Sequence, residues 1–166
     1  MKYFTANLWN GFNSDIEEEY QRSRIEWEKN SKEYCDIFEK IKIRLPKYFL
    51  KVFMKEHGFH DYELRKYEII HGDKGNKNPI RVNLVIDNGQ FCWQISYKEV
   101  SKIQISYEEQ AESIGKNKKY YRGFDDYGYN EILEVTDTVL SHEILFASDA
   151  TILVHFKKVG IKRVAE

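Results

Sequence analysis

The stretch VLSHEILFASDATILVHFKKV, residues 139–159, decides the predicted fold. It contains two runs of apolar and β-branched residues separated by Ser148-Asp149, and residues 129–136 form a similar run before it. Ser148-Asp149 is typical of a tight turn, so the pattern predicts three consecutive antiparallel strands. If the turn has two residues, apolar pairs lie on both faces of the last two strands, which indicates a strand pair that is covered on both sides.

A second predicted hairpin lies at residues 80–97, IRVNLVIDNGQFCWQISY. Its Asn88-Gly89 dipeptide favours a two-residue type I′ turn, and that register places Leu84 opposite Trp93. Alternation then puts the large apolar side chains on one face and the polar side chains on the other. We therefore expect this hairpin to have one buried and one solvated face.

The N-terminal third of the chain predicts two helices. The tetrapeptide SDIE at residues 14–17 has the spacing of a capping box, so we expect the first helix to begin there. Large apolar and aromatic residues then recur every seven positions in one stripe, formed by Tyr20, Trp27, Tyr34 and Ile41. Pro46 suits the start of a second helix, and Gly58 suits the position just after its end.

Together these patterns predict an α+β fold in which two N-terminal helices pack on a mainly antiparallel sheet of about six strands. The length of 166 residues fits a single domain. Residues 1–58 form its helical part and residues 59–166 form its β-rich part. The apolar pattern stops at residues 108–128, and this predicts a long loop there.

The composition of the chain limits which classes of partner it is expected to bind. Lys and Arg total 26 and Asp and Glu total 27, so no global charge drives binding to nucleic acid or to an anionic membrane. From Asp125 onward eight acidic residues stand against four basic ones, which makes this part locally acidic. Cys35 and Cys92 have no CxxC spacing, and this favours a reducing compartment. No stretch approaches the ~20 apolar residues of a membrane span, so we expect a cytoplasmic protein with no membrane partner.

Two histidines raise the possibility of a metal site. With a two-residue turn at residues 148–149, His142 and His155 face each other on adjacent strands, where two imidazoles could supply two ligands to zinc. A zinc site needs at least a third ligand, and the sequence names none. A hydrogen-bonded histidine pair is the other interpretation of the same pattern.

The segment KNKKYYR, residues 116–122, interleaves basic and aromatic residues. This chemistry holds single-stranded nucleic acid through phosphate contacts and base stacking. Asp125 and Asp126 follow at once and repel phosphate. A solvated loop is the favoured explanation of the segment, so nucleic-acid binding is an alternative function and not the leading one.

The overlapping segment YYRGFDDYGY, residues 120–129, is the predicted recognition surface. Tyrosines beside arginine and acidic residues combine a large contact area with a small loss of side-chain entropy. The alternative is a strand-entry loop whose tyrosines pack on the sheet. The residues assigned to partner binding are Tyr121, Arg122, Asp125, Asp126, Tyr127, Tyr129 and Glu131.

Catalytic signatures are missing from the sequence. It contains no Walker loop and no GxGxxG, GxSxG or HExxH motif. We therefore assign no catalytic residue and no cofactor. Missing motifs do not exclude an enzyme, but they favour a protein that is not one.

Parts of the chain resemble one of the uncharacterised bacterial families of small α+β proteins known as domains of unknown function. The resemblance lies in the opening MKYFT with Leu8-Trp9, in the charged helix that follows, and in the runs at residues 129–132 and 141–152. It implies no activity and no site residue. In size and character the chain is also similar to the immunity proteins that neutralise toxins inside the bacteria that make them.

The leading hypothesis is a non-catalytic intracellular protein that binds another protein, such as an immunity-type inhibitor of a bacterial toxin. Its acidic, tyrosine-rich surface would complement a basic toxin domain. The alternatives are a metal-dependent enzyme that uses His142 and His155, and a single-stranded nucleic-acid binder that uses residues 116–122.

Overall fold

The computed structural model describes residues 1–75, 77–114 and 118–165, and across them the chain forms three α-helices and ten β-strands. Of residues 110–114 and 118–121 it describes the backbone alone. The helices are α1 (Ala6–Phe12), α2 (Glu17–Ile41) and α3 (Lys47–Lys55). The strands are β1 (Glu63–His71), β2 (Ile80–Asp87), β3 (Cys92–Lys98), β4 (Lys102–Ser106), β5 (Gln110–Ile114), β6 (Lys118–Arg122), β7 (Tyr127–Thr136), β8 (Val139–Phe146), β9 (Thr151–Phe156) and β10 (Lys158–Arg163).

Within the described residues, the strands form two four-stranded antiparallel sheets and one separate hairpin. The first sheet has the order β1-β2-β3-β10, the second has the order β4-β9-β8-β7, and β5 pairs with β6. An α+β fold with antiparallel sheets is therefore confirmed. The prediction of one sheet of about six strands with two helices is wrong in the number of helices and in the layout of the sheets.

Two sheets form because the chain changes sheets between Phe156 and Lys158. The sequence pattern predicts one strand over residues 151–159, but the chain divides that stretch: β9 pairs with β8 and β4, whereas β10 pairs with β3. Val159 then lies opposite Tyr97 of the first sheet. Because one nearly continuous apolar run serves both sheets, its periodicity does not reveal the crossing.

The buried faces of both sheets share one hydrophobic core with α3. Tyr97 of β3 contacts Phe156 of β9 with ring centroids 5.1 Å apart, and this contact joins the sheets directly. Phe49 and Phe53 of α3 stack with centroids 5.7 Å apart. Burying a side chain of this size stabilises the fold by roughly 1.5–3 kcal/mol, so the rings contribute more than a typical surface ion pair.

The helical part differs from the prediction at its N-terminal end. α2 begins at Glu17 and not at Ser14, because the Ser14 hydroxyl accepts from the Ile16 N–H at 3.1 Å and donates to Glu19 at 2.7 Å. The predicted capping box at residues 14–17 is therefore wrong. The short helix α1 has no counterpart in the sequence prediction, since seven residues carry too little periodicity to detect.

α2 lies along the free edge of β7. The Tyr34 hydroxyl accepts a hydrogen bond from the Ile132 N–H at 2.8 Å, which satisfies an amide that the sheet leaves unpaired. Asn30 of α2 donates to the Tyr3 carbonyl at 2.9 Å and so ties the N-terminal segment to the same helix. No helix of the described part is long and apolar enough to cross a membrane.

In the β2–β3 hairpin the predicted faces are confirmed and the predicted register is wrong. Leu84 faces Ile95 and not Trp93, because the loop has four residues instead of two. The Asn88 side chain accepts hydrogen bonds from two loop N–H groups, at 2.8 and 3.0 Å, and these stabilise the wider loop. The shift of two residues leaves every side chain on its predicted face, since the period of a strand is two.

The β8–β9 hairpin is shifted by one residue from the predicted register. His142 faces Val154 and Ser141 faces His155, so the prediction that the two histidines face each other is wrong. The turn has three residues, with Asp149 in the left-handed region at φ 64°, instead of two. A shift of one residue moves each side chain to the opposite face, so His142 is buried in the core and His155 lies on the other side.

The segment predicted as a long loop contains a hairpin. β5 and β6 pair so that Gln110 lies opposite Arg122. Backbone hydrogen bonds define such a hairpin whether or not it has an apolar face, so the absence of apolar alternation does not reveal it. The prediction of a loop at 108–128 is therefore wrong for these two strands.

Candidate protein-binding surface

The fold divides the residues assigned to partner binding between its interior and its surface. Tyr127 is fully buried, and its ring meets Phe146 edge to face with centroids 5.2 Å apart. Its backbone N–H donates to the Tyr62 carbonyl at 2.8 Å. Burial raises the pKa of the Tyr127 phenol, so the group stays neutral. Tyr127 is therefore a core residue and cannot reach a partner at the surface.

Glu131 is also fully buried. Its carboxylate accepts the backbone N–H groups of residues 2–4 at distances of 2.6–2.9 Å. Glu143 lies opposite Glu131 on the next strand, and its carboxylate is 2.8 Å from the amino group of Met1. Charge-assisted hydrogen bonds of this kind are about twice as strong as neutral ones, so Glu131 anchors the N-terminal segment to the second sheet.

Tyr129 is half-buried beneath the same N-terminal segment. Its ring lies 5.3 Å from that of Phe4 and meets Trp9 edge to face at 5.1 Å. Burial raises the pKa of Tyr129. These contacts show that Tyr129 packs α1 against β7, as the strand-entry alternative expects of the tyrosines.

Arg122 and Asp125 hold their own segment in place. The Arg122 Nε donates to Asp125 at 2.6 Å, and the other Asp125 oxygen accepts from the Ser148 N–H at 3.0 Å. The Ser148 hydroxyl donates to the Gly123 carbonyl at 2.7 Å. These bonds fix the entry of β7 against the β8–β9 turn. The side chain of Tyr121 lies outside the described part of the chain.

Asp126 is exposed and belongs to an acidic groove. We define the acidic groove by the carboxylates of Asp61, Glu63, Asp125 and Asp126. Glu63 pairs with Asp126 through an isolated antiparallel bridge, and the Asp61 N–H donates to the Tyr127 carbonyl at 3.0 Å. The entry of β1 and the entry of β7 therefore bring together acidic residues that are distant in the sequence.

The charges of the acidic groove act on one another. Burial raises the pKa of Asp126, and the carboxylates of Asp125, Glu63 and Asp61 raise it further. The Arg122 guanidinium lowers the pKa of Asp126, but it is the weakest of these influences. Asp125 pairs with Arg122 at 2.6 Å and Glu63 pairs with Arg65 at 2.8 Å, while Asp61 lies 2.9 Å from His60. The four carboxylates outnumber the two arginines, so the groove keeps a net negative charge.

The acidic groove borders a cavity of about 560 Å³. Leu64 and Phe124 are half-buried in its wall. Phe124 stacks on Tyr107 at 5.4 Å and meets Phe146 edge to face at 5.3 Å, so its position is fixed from two sides. The cavity is lined mainly by charged residues, so charge dominates what this groove can recognise.

Local composition predicts Asp125 and Asp126 of this groove but not Asp61 and Glu63. No local pattern connects the two pairs, because they meet through the backbone bridge between the entries of β1 and β7. The one available signal is their sign, since acidic residues stand at both strand entries.

His142 lies in the core between the two sheets. The Tyr97 hydroxyl donates to its Nδ1 at 2.7 Å, which leaves the ring hydrogen on Nε2. That Nε2–H donates to Asn130 at 3.2 Å, and Asn130 in turn donates to the Gly58 carbonyl at 2.7 Å. Burial lowers the pKa of His142 to about 3, so the ring is neutral. This satisfied network joins both sheets to the end of the helical part.

The predicted metal ligands are not brought together. His155 lies on the other face of the second sheet, where burial and the charge of Lys102 lower its pKa. Among the described residues, no group of three or more His, Cys, Asp or Glu side chains is placed to hold a metal ion. The His142 and His155 pair therefore gives no support to a metal-dependent enzyme.

The nucleic-acid alternative falls partly on residues that the structure does not describe. Lys116 and Asn117 lie outside the described residues, and so do the side chains of residues 118–121. This alternative stays a prediction. Comparison with protein-family models, with curated proteins and with solved structures finds no match for this chain.

Proposed function

We propose that this chain is a non-catalytic protein-binding protein whose acidic groove takes a basic segment of another protein. The observation that carries the proposal is the convergence of three carboxylates, Glu63, Asp125 and Asp126, around one cavity. Asp61 is near enough to raise the pKa of Asp126. Complementary charge of this kind accelerates association and excludes acidic partners. An immunity-type inhibitor of a basic toxin domain is the partner relationship that this surface suits best.

The four carboxylates have two roles in this proposal. The side chains of Asp61 and Glu63 are 79% and 50% exposed, so a partner can reach them. Glu63 also pairs with Arg65 at 2.8 Å, so a basic partner would compete with that arginine. Asp125 is 17% exposed and already holds Arg122 and the Ser148 N–H. Asp61, Glu63 and Asp126 therefore make the contacts, and Asp125 keeps the groove in shape.

The raised pKa of Asp126 gives the proposed contact a pH dependence. A lysine or arginine of the partner stabilises the ionised carboxylate, so binding lowers this pKa towards its ordinary range. Acidification that protonates Asp126 in the free protein should weaken the complex. The affinity is therefore expected to fall as the pH is lowered through the pKa of Asp126.

The test uses a triple variant that keeps the size of each side chain. The groove variant carries Asp61→Asn, Glu63→Gln and Asp126→Asn, and the matched control carries Glu18→Gln, Glu26→Gln and Glu33→Gln on the exposed side of α2. Both variants remove three negative charges. Titration calorimetry with a lysine-rich peptide should give about 30-fold weaker binding for the groove variant and little change for the control.

A second arm identifies the natural partner. The tagged wild type, the groove variant and the control variant are used in parallel to capture proteins from the native cells at modest salt. A basic protein that the wild type and the control retain, and that the groove variant loses, supports the proposal. A partner that all three retain equally would sink the assignment of the acidic groove.

A further inference from the structure

A second charged cavity lies at the opposite end of the first sheet. It has a volume of about 500 Å³ and is lined by five cations and one carboxylate. We define this basic pocket by its charged residues, Lys77, Arg81, Lys98, Glu99, Lys157 and Lys158. β2 runs from this pocket towards the acidic groove, and its six-residue span from Arg81 to Asp87 covers about 20 Å.

Three of these cations form a row across the sheet. Arg81 of β2 lies directly opposite Lys98 of β3, and Lys98 lies directly opposite Lys158 of β10. All three therefore stand on the same face of three neighbouring strands. Like charges placed directly opposite one another destabilise a sheet, so packing alone does not explain this row.

The one carboxylate of the basic pocket does not neutralise it. Glu99 forms an ion pair with Lys158, and the hydrogen bond from Lys158 lowers its pKa. Lys157 and Lys77 lower this pKa further. Among the described residues, the other four cations of the pocket form no ion pair with a carboxylate, so the site keeps a net charge of about four positive units.

The pocket wall also contains two strained residues. Asn78 and Glu99 have φ values of 71° and 54°, in the left-handed region that residues with a Cβ seldom adopt. Four other described non-glycine residues also have positive φ, so these two values set the shape of the loops and do not by themselves mark a binding site. Both residues stand in the loops that shape the mouth of the basic pocket.

We propose that the basic pocket binds a small anion that carries two or more phosphate groups. Arg81 offers a planar fork that matches phosphate oxygens, and the four lysines offer compact charges around it. The cavity has the size of a small-molecule site. Its described lining residues include no aromatic ring on which a nucleobase could stack, which favours recognition of phosphate charge over recognition of a base.

The test is titration calorimetry of the full chain with inorganic tripolyphosphate at low ionic strength. Lys98→Gln removes the centre of the row, and Lys162→Gln is the matched control, because Lys162 lies on the same face of β10 opposite the neutral Gln94. We expect Lys98→Gln to weaken binding about tenfold and Lys162→Gln to change it less than twofold. Thermal unfolding of both variants confirms that they fold.

The assignment has three ways to fail. Equal weakening by both variants would mean that tripolyphosphate senses only the overall charge of the sheet. Equal affinity for orthophosphate and tripolyphosphate would overturn the requirement for more than one phosphate group. Tighter binding of an oligothymidylate than of tripolyphosphate, lost in Lys98→Gln, would assign the pocket to single-stranded nucleic acid instead.

Discussion

The two ends of the first sheet carry opposite charges, and the charged side chains are paired differently at each end. At the acidic groove, Asp125 is held by Arg122 and by the Ser148 N–H. At the basic pocket, Arg81 and Lys98 face each other directly across two strands. The formal net charge of −1 for the whole chain does not reveal the local excess of charge at either end. Net charge therefore says little about the partners of a protein whose charges are separated in this way.

The partners of a charged side chain distinguish a group that stabilises the fold from a group that is available to a ligand. A carboxylate that accepts backbone N–H groups stabilises the fold, and its removal leaves those groups unsatisfied. A cation that faces another cation costs stability, and its removal relieves repulsion. Removal of Asp125 at the acidic end and of Lys98 at the basic end should therefore change the free energy of unfolding with opposite signs.

The largest change in stability is expected at Glu131, because its carboxylate is fully buried and accepts three backbone N–H groups. Glu131→Ala leaves the backbone N–H groups of residues 2–4 without their acceptor. We expect the free energy of unfolding to fall by about 4 kcal/mol and the melting temperature by about 10 °C. Glu134→Ala on the same strand is the control, because it removes an exposed carboxylate whose ion pair with Arg44 lies at the surface, with a loss of about 0.5 kcal/mol. Comparable losses in the two variants would show that the N-terminal anchor is weak.

The second effect concerns His142, a buried group between the two charged ends that must stay neutral. Its pKa is about 3 in the folded chain and about 6.5 when unfolded, so the unfolded state binds more protons between these values. Stability from this group is complete above pH 6.5 and is lost as the pH falls towards 3. We expect the free energy of unfolding, measured in urea, to be about 2 kcal/mol lower at pH 5 than at pH 7.

A matched control for this prediction is available in the same sheet. His155→Asn changes a half-exposed histidine on the opposite face and should retain most of the loss of stability at pH 5. The imidazole NMR signals of His142 should keep their neutral positions down to about pH 4. Titration of that ring near pH 6 in the folded protein would contradict the buried, neutral assignment.

The third effect concerns Asp125, whose hydrogen bonds to Arg122 and to the Ser148 N–H hold the acidic groove in shape. Asp125→Ala removes the acceptor of the Ser148 N–H and the partner of Arg122, and we expect a loss of about 1.5 kcal/mol. Asp126→Ala, one residue further on, removes an exposed carboxylate that its neighbours repel, so it should not destabilise the fold. Thermal unfolding of the two variants measures the contrast. An equal loss of stability in both variants would contradict the assignment of a structural role to Asp125 and a partner-binding role to Asp126.

The fourth effect has the opposite sign. In the absence of ligand, Lys98→Gln should raise the free energy of unfolding by about 0.5 kcal/mol, because it relieves repulsion from Arg81 and Lys158. Lys162→Gln should leave stability unchanged. The gain should shrink in ~0.5 M salt, since exposed charges are then screened. A loss of stability in Lys98→Gln at low salt would mean that the row of cations is satisfied by contacts within the fold.

The two hairpins show why the sequence predicted some faces and not others. In β2–β3 the error in loop length is two residues, and a strand repeats every two, so Leu84 and Ile95 remain on the buried face. In β8–β9 the error is one residue, so His142 and His155 part to opposite faces. In β2–β3, apolar and polar residues alternate clearly, so the pattern itself identifies the buried face. In β8–β9, apolar residues lie on both faces, so the predicted register depended only on the assumed length of the turn.

The charged sites were harder to predict than the fold class, because each depends on pairing between distant strands. Asp125 and Asp126 were found from local composition, but Asp61 and Glu63 join them only through the bridge between the entries of β1 and β7. The basic row depends on β10 pairing with β3, and the sequence pattern placed those residues in another strand. Local periodicity carries no information about such long-range pairing.

The last prediction compares one carboxylate at each end of the first sheet within a single NMR titration. The pKa of Asp126 should lie above its ordinary value of 3.8, because partial desolvation and the neighbouring carboxylates disfavour its charged form. Glu99 should titrate below its ordinary value of 4.5, because Lys158 donates to it and further lysines surround it. Glu63→Gln should lower the pKa of Asp126, and Lys158→Gln should raise that of Glu99. If neither pKa responds to its neighbour, charge separation along the sheet cannot be the basis of recognition at either end.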